Sequence, residues 1–287
     1  MFRLPRIASR SFVTNPVPAG LFCYSTATPS VCVEKIKNFL FQLKTEISTE
    51  LTAKGYFTTI FDSNILQVGT IHSMRSQAIA LRNEGRFQPS WSESIDSVTG
   101  LTTRFDKEGV FACEPDGADY ETAPDLLLYM TAVITHLPPI LNDTNEELQL
   151  SNQSFNAKLA VTLPGGSTYP LHVDNIQGLQ GNDVRKLTVI LYLNPSYEEK
   201  DGGQLRLYLA NEAIVDLFPI GGRLVMFWSD EIPHEVLPTA PDAHKYNESL
   251  DRYALTIWLP TDNPRNIHNK PLPFKNHGKK SLEISTL

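Results

Sequence analysis

The chain has 287 residues, 20% charged and 41% hydrophobic, with a formal net charge of −7. That length is enough to bury a full core in one catalytic-sized domain with helical support. The acidic balance argues against nucleic acid as the main partner, and no apolar run reads as approaching the roughly 20 residues of a membrane span. Three cysteines, Cys23, Cys32 and Cys113, form neither a disulfide framework nor a CxxC pair, which fits a reducing compartment.

Residues 1–33 contain Arg3, Arg6 and Arg10, many hydroxyl side chains and no acidic residue before Glu34. That composition predicts a mitochondrial or plastid transit peptide, with a disordered leader on a cytoplasmic protein as the alternative. Residues 34–154 read as a helical support region. Val33 to Lys54 carries Ile36, Phe39, Leu40, Leu43, Ile47 and Leu51 at helical spacing, with Gly55 as its cap. Tyr56 to Phe61 reads as a strand and Ser63 to Glu84 as a second helix stopped by Gly85. Phe87 to Asp119 is polar and reads as an irregular loop. Pro124 suits a first helical turn, and Asp125 to His136 predicts an apolar helix ended by Pro138-Pro139. His72 and His136, in predicted helices without partners at ligand spacing, read as surface or capping residues.

From residue 155 the pattern changes. Short runs rich in β-branched and aromatic residues are separated by Gly, Pro, Asn and Asp: Lys186–Asn194, Gln204–Leu209, Arg223–Trp228, His234–Leu237 and Arg252–Trp258. Several such strands at this spacing predict a two-sheet jelly roll (a double-stranded β-helix) over residues 155–262, in a mainly β, α+β chain. Residues 263–287 read as a solvated tail.

Within that stretch lie His172-Val-Asp174 and, far along the chain, His234. On a strand or its fraying end, the i, i+2 spacing puts His172 and Asp174 on the same face. Two imidazoles and a carboxylate are the donor set of a non-haem iron(II) facial triad, which leaves roughly three octahedral positions open for a co-substrate and dioxygen. Arg252 opens an otherwise apolar strand, so an inward-pointing guanidinium there needs an anion.

The stretches Pro164-Gly165, His172-Val-Asp-Asn175, Tyr192-Leu-Asn194, Gly202-Gly-Gln-Leu-Arg206, Phe227-Trp-Ser-Asp230, Pro233-His-Glu-Val236 and Arg252-Tyr-Ala-Leu-Thr-Ile-Trp258 resemble the iron(II)/2-oxoglutarate dioxygenases. Within that family they are most similar to prolyl 4-hydroxylases of the hypoxia-inducible-factor type. The resemblance implies Fe(II) held by His172, Asp174 and His234, and 2-oxoglutarate and O2 as co-substrates, with ascorbate (vitamin C) as reductant. Arg252 and Tyr192 would meet the distal carboxylate of 2-oxoglutarate, with Thr188, Leu205 and Val236 lining its pocket. Arg185 and Trp258 would stand at the substrate entrance. The implied reaction hydroxylates a C–H bond, on a peptidyl proline in a protein or peptide substrate, with release of succinate and carbon dioxide.

Two departures bear on this reading. Leu163 precedes Pro-Gly where the family usually has a tyrosine, and Arg252 follows His234 by eighteen residues where about ten is usual. The intervening Thr239–Asp251 reads as a lengthened hairpin loop, which costs little entropy to close. Arg206 and Arg223 are rival anchors. Hydroxylation of a free amino acid or other small molecule, and a non-catalytic metal-binding jelly-roll sensor, stand as alternatives; a zinc hydrolase would need a general base that Asp230 and Glu235 do not clearly provide.

Overall fold

The computed structural model describes residues 29–95, 102–210, 212–239 and 250–268. Most of the predicted leader, most of the Thr239–Asp251 loop and the tail beyond His268 lie outside the described residues.

Four helices precede the jelly roll. The stretch expected as one helix is two, α1 (Val33–Gln42) and α2 (Lys44–Lys54), which meet at Leu43 with φ −89° and ψ 0°. The backbone bonds run almost without a break, from the Leu43 N–H to the Phe39 carbonyl and from the Ile47 N–H to the Leu43 carbonyl. One apolar stripe, Ile36, Leu40, Ile47 and Leu51, is therefore buried by both. Gly55 caps α2 in the left-handed region at φ +80°, where a side chain would be strained. Strand β1 (Tyr56–Ile60) follows directly.

Helix α3 (Val68–Asn83) starts later than expected from Ser63. The Asp62 carboxylate accepts from the Asn64 N–H and its carbonyl from Ile65 and Leu66, so this turn competes with an earlier start. The segment expected as an irregular loop is instead a hairpin of β2 (Gln88–Ile95) and β3 (Thr102–Cys113). Its polarity misled because β2 is an edge strand, where Pro89 and exposed polar residues are tolerated.

Helix α4 (Pro124–Asn142) runs through Pro138 and Pro139 instead of ending before them. Leu137, Pro138 and Leu141 are buried beyond the expected end, so packing outweighs the lost backbone bonds. Its 19 residues also correct the hydropathy reading: by length and composition alone α4 could cross a membrane. Ten of those residues, Asp125 included, are buried within the fold, as in a core helix.

The remaining strands are β4 (Asn156–Thr162), β5 (Tyr169–His172), β6 (Arg185–Tyr192), β7 (Leu205–Tyr208), β8 (Ile214–Leu217), β9 (Arg223–Trp228), β10 (His234–Val236) and β11 (Arg252–Pro260). They form the jelly roll as two antiparallel sheets, a major one in the order β1-β9-β6-β11-β4-β3-β2 and a minor one in the order β5-β10-β7-β8. The support region thus supplies three strands of the major sheet as well as helices. One face of that sheet (Leu159, Val161, Leu187, Val189, Leu191, Met226, Leu255, Ile257) packs against the helices. The other (Ile190, Tyr192, Val225, Phe227, Ala254) faces Leu205, Leu207 and Val236 of the minor sheet. This alternation sends every second residue of β6 and β11 into the space between the sheets.

Helix α3 is also tied to the strand ends that carry the anchor residues. Arg75, buried, donates to the Leu193 carbonyl, the Asn194 side chain and the Asp251 carbonyl at 2.8–3.2 Å. Arg82 pairs with the buried Asp251 carboxylate at 2.7 Å. These contacts fix the end of β6 beside Tyr192 and the start of β11 beside Arg252.

Candidate metal centre and co-substrate pocket

His172 ends β5 and His234 opens β10, and the two are direct cross-strand partners. They are distant in sequence but adjacent in space. Asp174 follows β5 and completes a cluster whose ligand atoms all lie within 4.8 Å of one another. His172 Nε2 stands 3.6 Å and His234 Nε2 3.8 Å from the same Asp174 oxygen, Oδ1.

The second ring nitrogens fix the tautomers. His172 Nδ1 lies 2.8 Å from the Pro170 carbonyl and His234 Nδ1 3.0 Å from the Ile232 carbonyl. A carbonyl only accepts, so each Nδ1 carries a proton and each Nε2 is the ring nitrogen turned to the cluster. Burial, and then the neighbouring His172, push His234 down to about 4, so it is neutral at pH 7. Burial works against ionisation of Asp174, but His234, His172 and Arg185 outweigh it and hold the carboxyl well below the usual range. A neutral imidazole and a carboxylate are the protonation states a divalent cation needs.

The far oxygen of Asp174, Oδ2, accepts from Thr188 Oγ1 at 2.7 Å and from Trp258 Nε1 at 2.9 Å. Thr188 in turn hydrogen-bonds Ser229 Oγ at 2.7 Å. Thr188, expected to line the co-substrate pocket, and Trp258, expected at the entrance, are thus placed where they orient a metal ligand. Arg185 is bidentate to Asp183, donates to the Asp174 carbonyl at 2.5 Å, and lies 5.6 Å from the Trp258 ring centroid. Trp258→Phe keeps the ring and removes the donor to Oδ2. The expected result is metal affinity lower by about 10- to 100-fold, read by titrating the apoprotein with Mn(II), with secondary structure unchanged.

Arg252 sits between the sheets. It pairs in register with Thr162, and Ala254, two residues on, pairs with Tyr192. Its side chain is buried, with Nε donating to the Gly203 carbonyl at 2.7 Å and Nη2 to Tyr192 Oη at 3.3 Å. No carboxylate reaches it within 4.0 Å among the described residues. A buried guanidinium without an anion is costly, and a dicarboxylate reaching in from the metal would offset that cost. Thr162, fully buried, presents an Oγ1 with no hydrogen-bond partner at the same place. Leu205 and Val236, cross-strand partners on the minor sheet, close the apolar side. The residues present therefore fit an iron ion with 2-oxoglutarate.

The rival anchors differ in position. Arg206 is held by Asp216 in two 2.7 Å contacts on the exposed side of the minor sheet. Arg223 shares its face of β9 with Val225 and Phe227 and so also faces inward, but it is not seen to donate to Tyr192 among the described residues, and its Nε is buried without a partner. Leu163 turns toward the helix-side core; the hydroxyl facing inward there belongs to Thr162, one residue earlier. Sequence reasoning missed Thr162 and Ser229, and also Tyr169, three residues before His172. Strand parity from the neighbouring Leu159 and Val161 could have found Thr162.

The model of the 2OG-Fe(II) oxygenase superfamily matches residues 157–260. Prolyl hydroxylase EGLN3 of Homo sapiens is 41% identical over 99 residues, which is 33% of this chain and 36% of that protein. The hypoxia-inducible factor prolyl hydroxylase of Caenorhabditis elegans is 39% identical over 105 residues, 36% of this chain and 13% of that one. The chain thus spans about a third or less of the curated relatives it matches. Among solved structures, a Pseudomonas putida prolyl-4-hydroxylase is similar at TM-score 0.57 and 25% identity, over 76% of this chain and 98% of that one. A Trichoplax adhaerens prolyl hydroxylase, solved with a hypoxia-inducible-factor peptide fragment, has TM-score 0.63 and 24% identity over 79% and 93%, a likeness of fold.

The jelly-roll segment is therefore a 2OG-Fe(II) oxygenase domain. Among such domains it is similar to the prolyl hydroxylases of the hypoxia-inducible-factor type.

Proposed function

We propose that the protein is an Fe(II)- and 2-oxoglutarate-dependent dioxygenase that hydroxylates a peptidyl proline. The observation that carries the reading is Arg252: a buried guanidinium, held by Gly203 and Tyr192 and lacking a carboxylate among the described residues, on the inner face of a barrel that carries the triad. A module that only holds a metal has no use for a dicarboxylate anchor. His172, Asp174 and His234 would hold iron, and Arg252 with Tyr192 and Thr162 the distal carboxylate of 2-oxoglutarate. Iron with 2-oxoglutarate and dioxygen supplies oxidative decarboxylation to succinate and carbon dioxide, coupled to insertion of one oxygen atom into a C–H bond. The chain's own part is to hold the ligands in one protonation state, orient the co-substrate by its far end, and keep water from the apolar wall of Leu205 and Val236. Ascorbate would keep the iron reduced.

The peptidyl-proline assignment is supported by the similarity to prolyl hydroxylases over the jelly roll. Proteomes of cells with and without the enzyme, compared by mass spectrometry, should show a proline that gains one oxygen only when the enzyme is present. A small metabolite as the sole oxidised product would replace the peptide substrate with a small-molecule one. On the composition of residues 1–33 we also propose delivery to a mitochondrion or plastid. A reporter fused to Met1–Val33 should be imported; a reporter that stays in the cytosol contradicts that proposal and leaves the enzyme reading untouched.

A further inference from the structure

Two lysines of the major sheet converge on the ring of Tyr169, in the strand that ends in the metal ligand His172, and the reaction described above uses neither. Lys158 on β4 is the cross-strand partner of Thr256, so it stands on the inner face of the sheet. Its Nζ donates to Ser90 Oγ at 3.1 Å and lies 5.7 Å from the centroid of the Tyr169 ring. Lys107 on β3 places its Nζ 4.3 Å from the centroid of that ring. Tyr169 belongs to β5, the strand that ends in His172. The charge of Asp174, two residues beyond His172, favours the charged form of both.

Neither lysine has a carboxylate within 4.0 Å among the described residues. Glu114 acts on Lys158 only through space. Burial, and for Lys107 the nearby Lys158, disfavour the charged forms, and Lys107 is pushed down to about 8. One hydroxyl, Ser90 Oγ, and the face of one tyrosine are weak substitutes for the hydration two ammonium groups give up. A single anion between them would satisfy both. Arg185 on the neighbouring rim is already committed to Asp183 and cannot fill this role.

2-Oxoglutarate does not supply that anion. Its distal carboxylate belongs at Arg252. Its other end is taken up by the metal. The anion therefore comes with the molecule being oxidised.

We propose that Lys107 and Lys158 together bind a carboxylate of the oxidised substrate, which makes the preferred substrate an acidic peptide with Asp or Glu close to the target proline. This rests on the reading of the site as a peptidyl-proline hydroxylase. On a chain of net charge −7, such a local pair of cations is what an acidic peptide needs in order to approach.

The test is to pan a display library of proline-centred peptides, anaerobically, on the full chain loaded with Mn(II) and 2-oxoglutarate. Asp and Glu should be enriched severalfold within a few residues of the proline. The double variant Lys107→Met/Lys158→Met, which keeps both alkyl stems, should lose that enrichment, and Lys107→Arg/Lys158→Arg should retain it. In every variant the visible band formed by Fe(II) and 2-oxoglutarate, measured in parallel, should persist at wild-type co-substrate concentration and so report an intact site. Enrichment of apolar or basic residues, acidic enrichment that survives the methionine pair, or no peptide retained would each overturn the proposal. A methionine pair that weakens 2-oxoglutarate binding instead would assign the lysines to the co-substrate. Absence of the band from the wild-type protein would mark failure of the oxygenase reading itself, separately from the peptide preference.

Discussion

Replacing His172, Asp174 or His234 singly with alanine is expected to reduce succinate formation below detection while leaving the far-ultraviolet circular dichroism unchanged. The two halves of that expectation have separate causes. His172 and His234 point their Nε2 atoms at the same oxygen of Asp174, so each alanine removes one of three donors from a site that has no spare among the described residues. The fold is held elsewhere. The large apolar core lies between the helices and the outer face of the major sheet, with Leu159, Leu187, Leu191 and Leu255 fully buried, whereas the triad sits on the minor sheet. Asp174→Asn is a sharper variant. It keeps the volume and an acceptor for Thr188 and Trp258 but removes the charge that a divalent cation requires. Wild-type turnover in any of these variants would show that the cluster is not the metal site.

Arg252→Ala is expected to raise the apparent Michaelis constant for 2-oxoglutarate with a smaller effect on turnover at saturation. Loss of one partner from a buried charge pair costs about 2–5 kcal/mol, because the other charge is left desolvated. At about 1.4 kcal/mol per decade that is a rise of roughly 30-fold to several thousand-fold. Arg252→Lys should also be impaired, since an ammonium cannot reproduce the planar fork that meets Gly203, Tyr192 and a carboxylate together. Gly203→Ala tests the same geometry from outside the guanidinium. Gly203 has φ +73°, and a Cβ there would come within 2.8 Å of Arg252 Cδ, so the variant should weaken 2-oxoglutarate binding without touching any charge. Arg206→Ala, on the exposed pair with Asp216, should change nothing. Arg223→Ala is the stricter control, because Arg223 also faces inward; a larger effect there than at Arg252 would move the anchor from β11 to β9.

How much of this was legible in the sequence depended on whether a residue's role was local. The strands from Lys186 to Trp258 announced themselves because apolar β-branched runs between glycine turns have few other folds. The triad was legible because donor type and i, i+2 spacing are chemical statements. The β2–β3 hairpin was not, because an edge strand can be polar on both faces and Pro89 argues against a strand unless the edge is known. Nor was the continuation of α4 through Pro138 and Pro139, which depends on what Leu137 and Leu141 bury against. The finer assignments at the site failed to appear for a related reason. Thr188 and Trp258 meet Asp174 through contacts between strands, and Lys107 and Lys158 reach one ring, that of Tyr169, only once the two sheets are assembled. The one-residue distinction between Leu163 and Thr162 turns on strand parity, which a motif of Pro-Gly cannot fix.

The central claim is that this chain holds iron and 2-oxoglutarate together in one site. Anaerobic addition of Fe(II) and then 2-oxoglutarate to the purified protein tests it most directly. The weak visible charge-transfer band of the 2-oxo acid chelated to Fe(II) should appear, saturate with one equivalent of each, and shift to higher 2-oxoglutarate concentration in Arg252→Ala. A protein that binds the metal tightly but develops no such band at any 2-oxoglutarate concentration would be a metal-holding jelly roll, and the oxygenase account would be wrong.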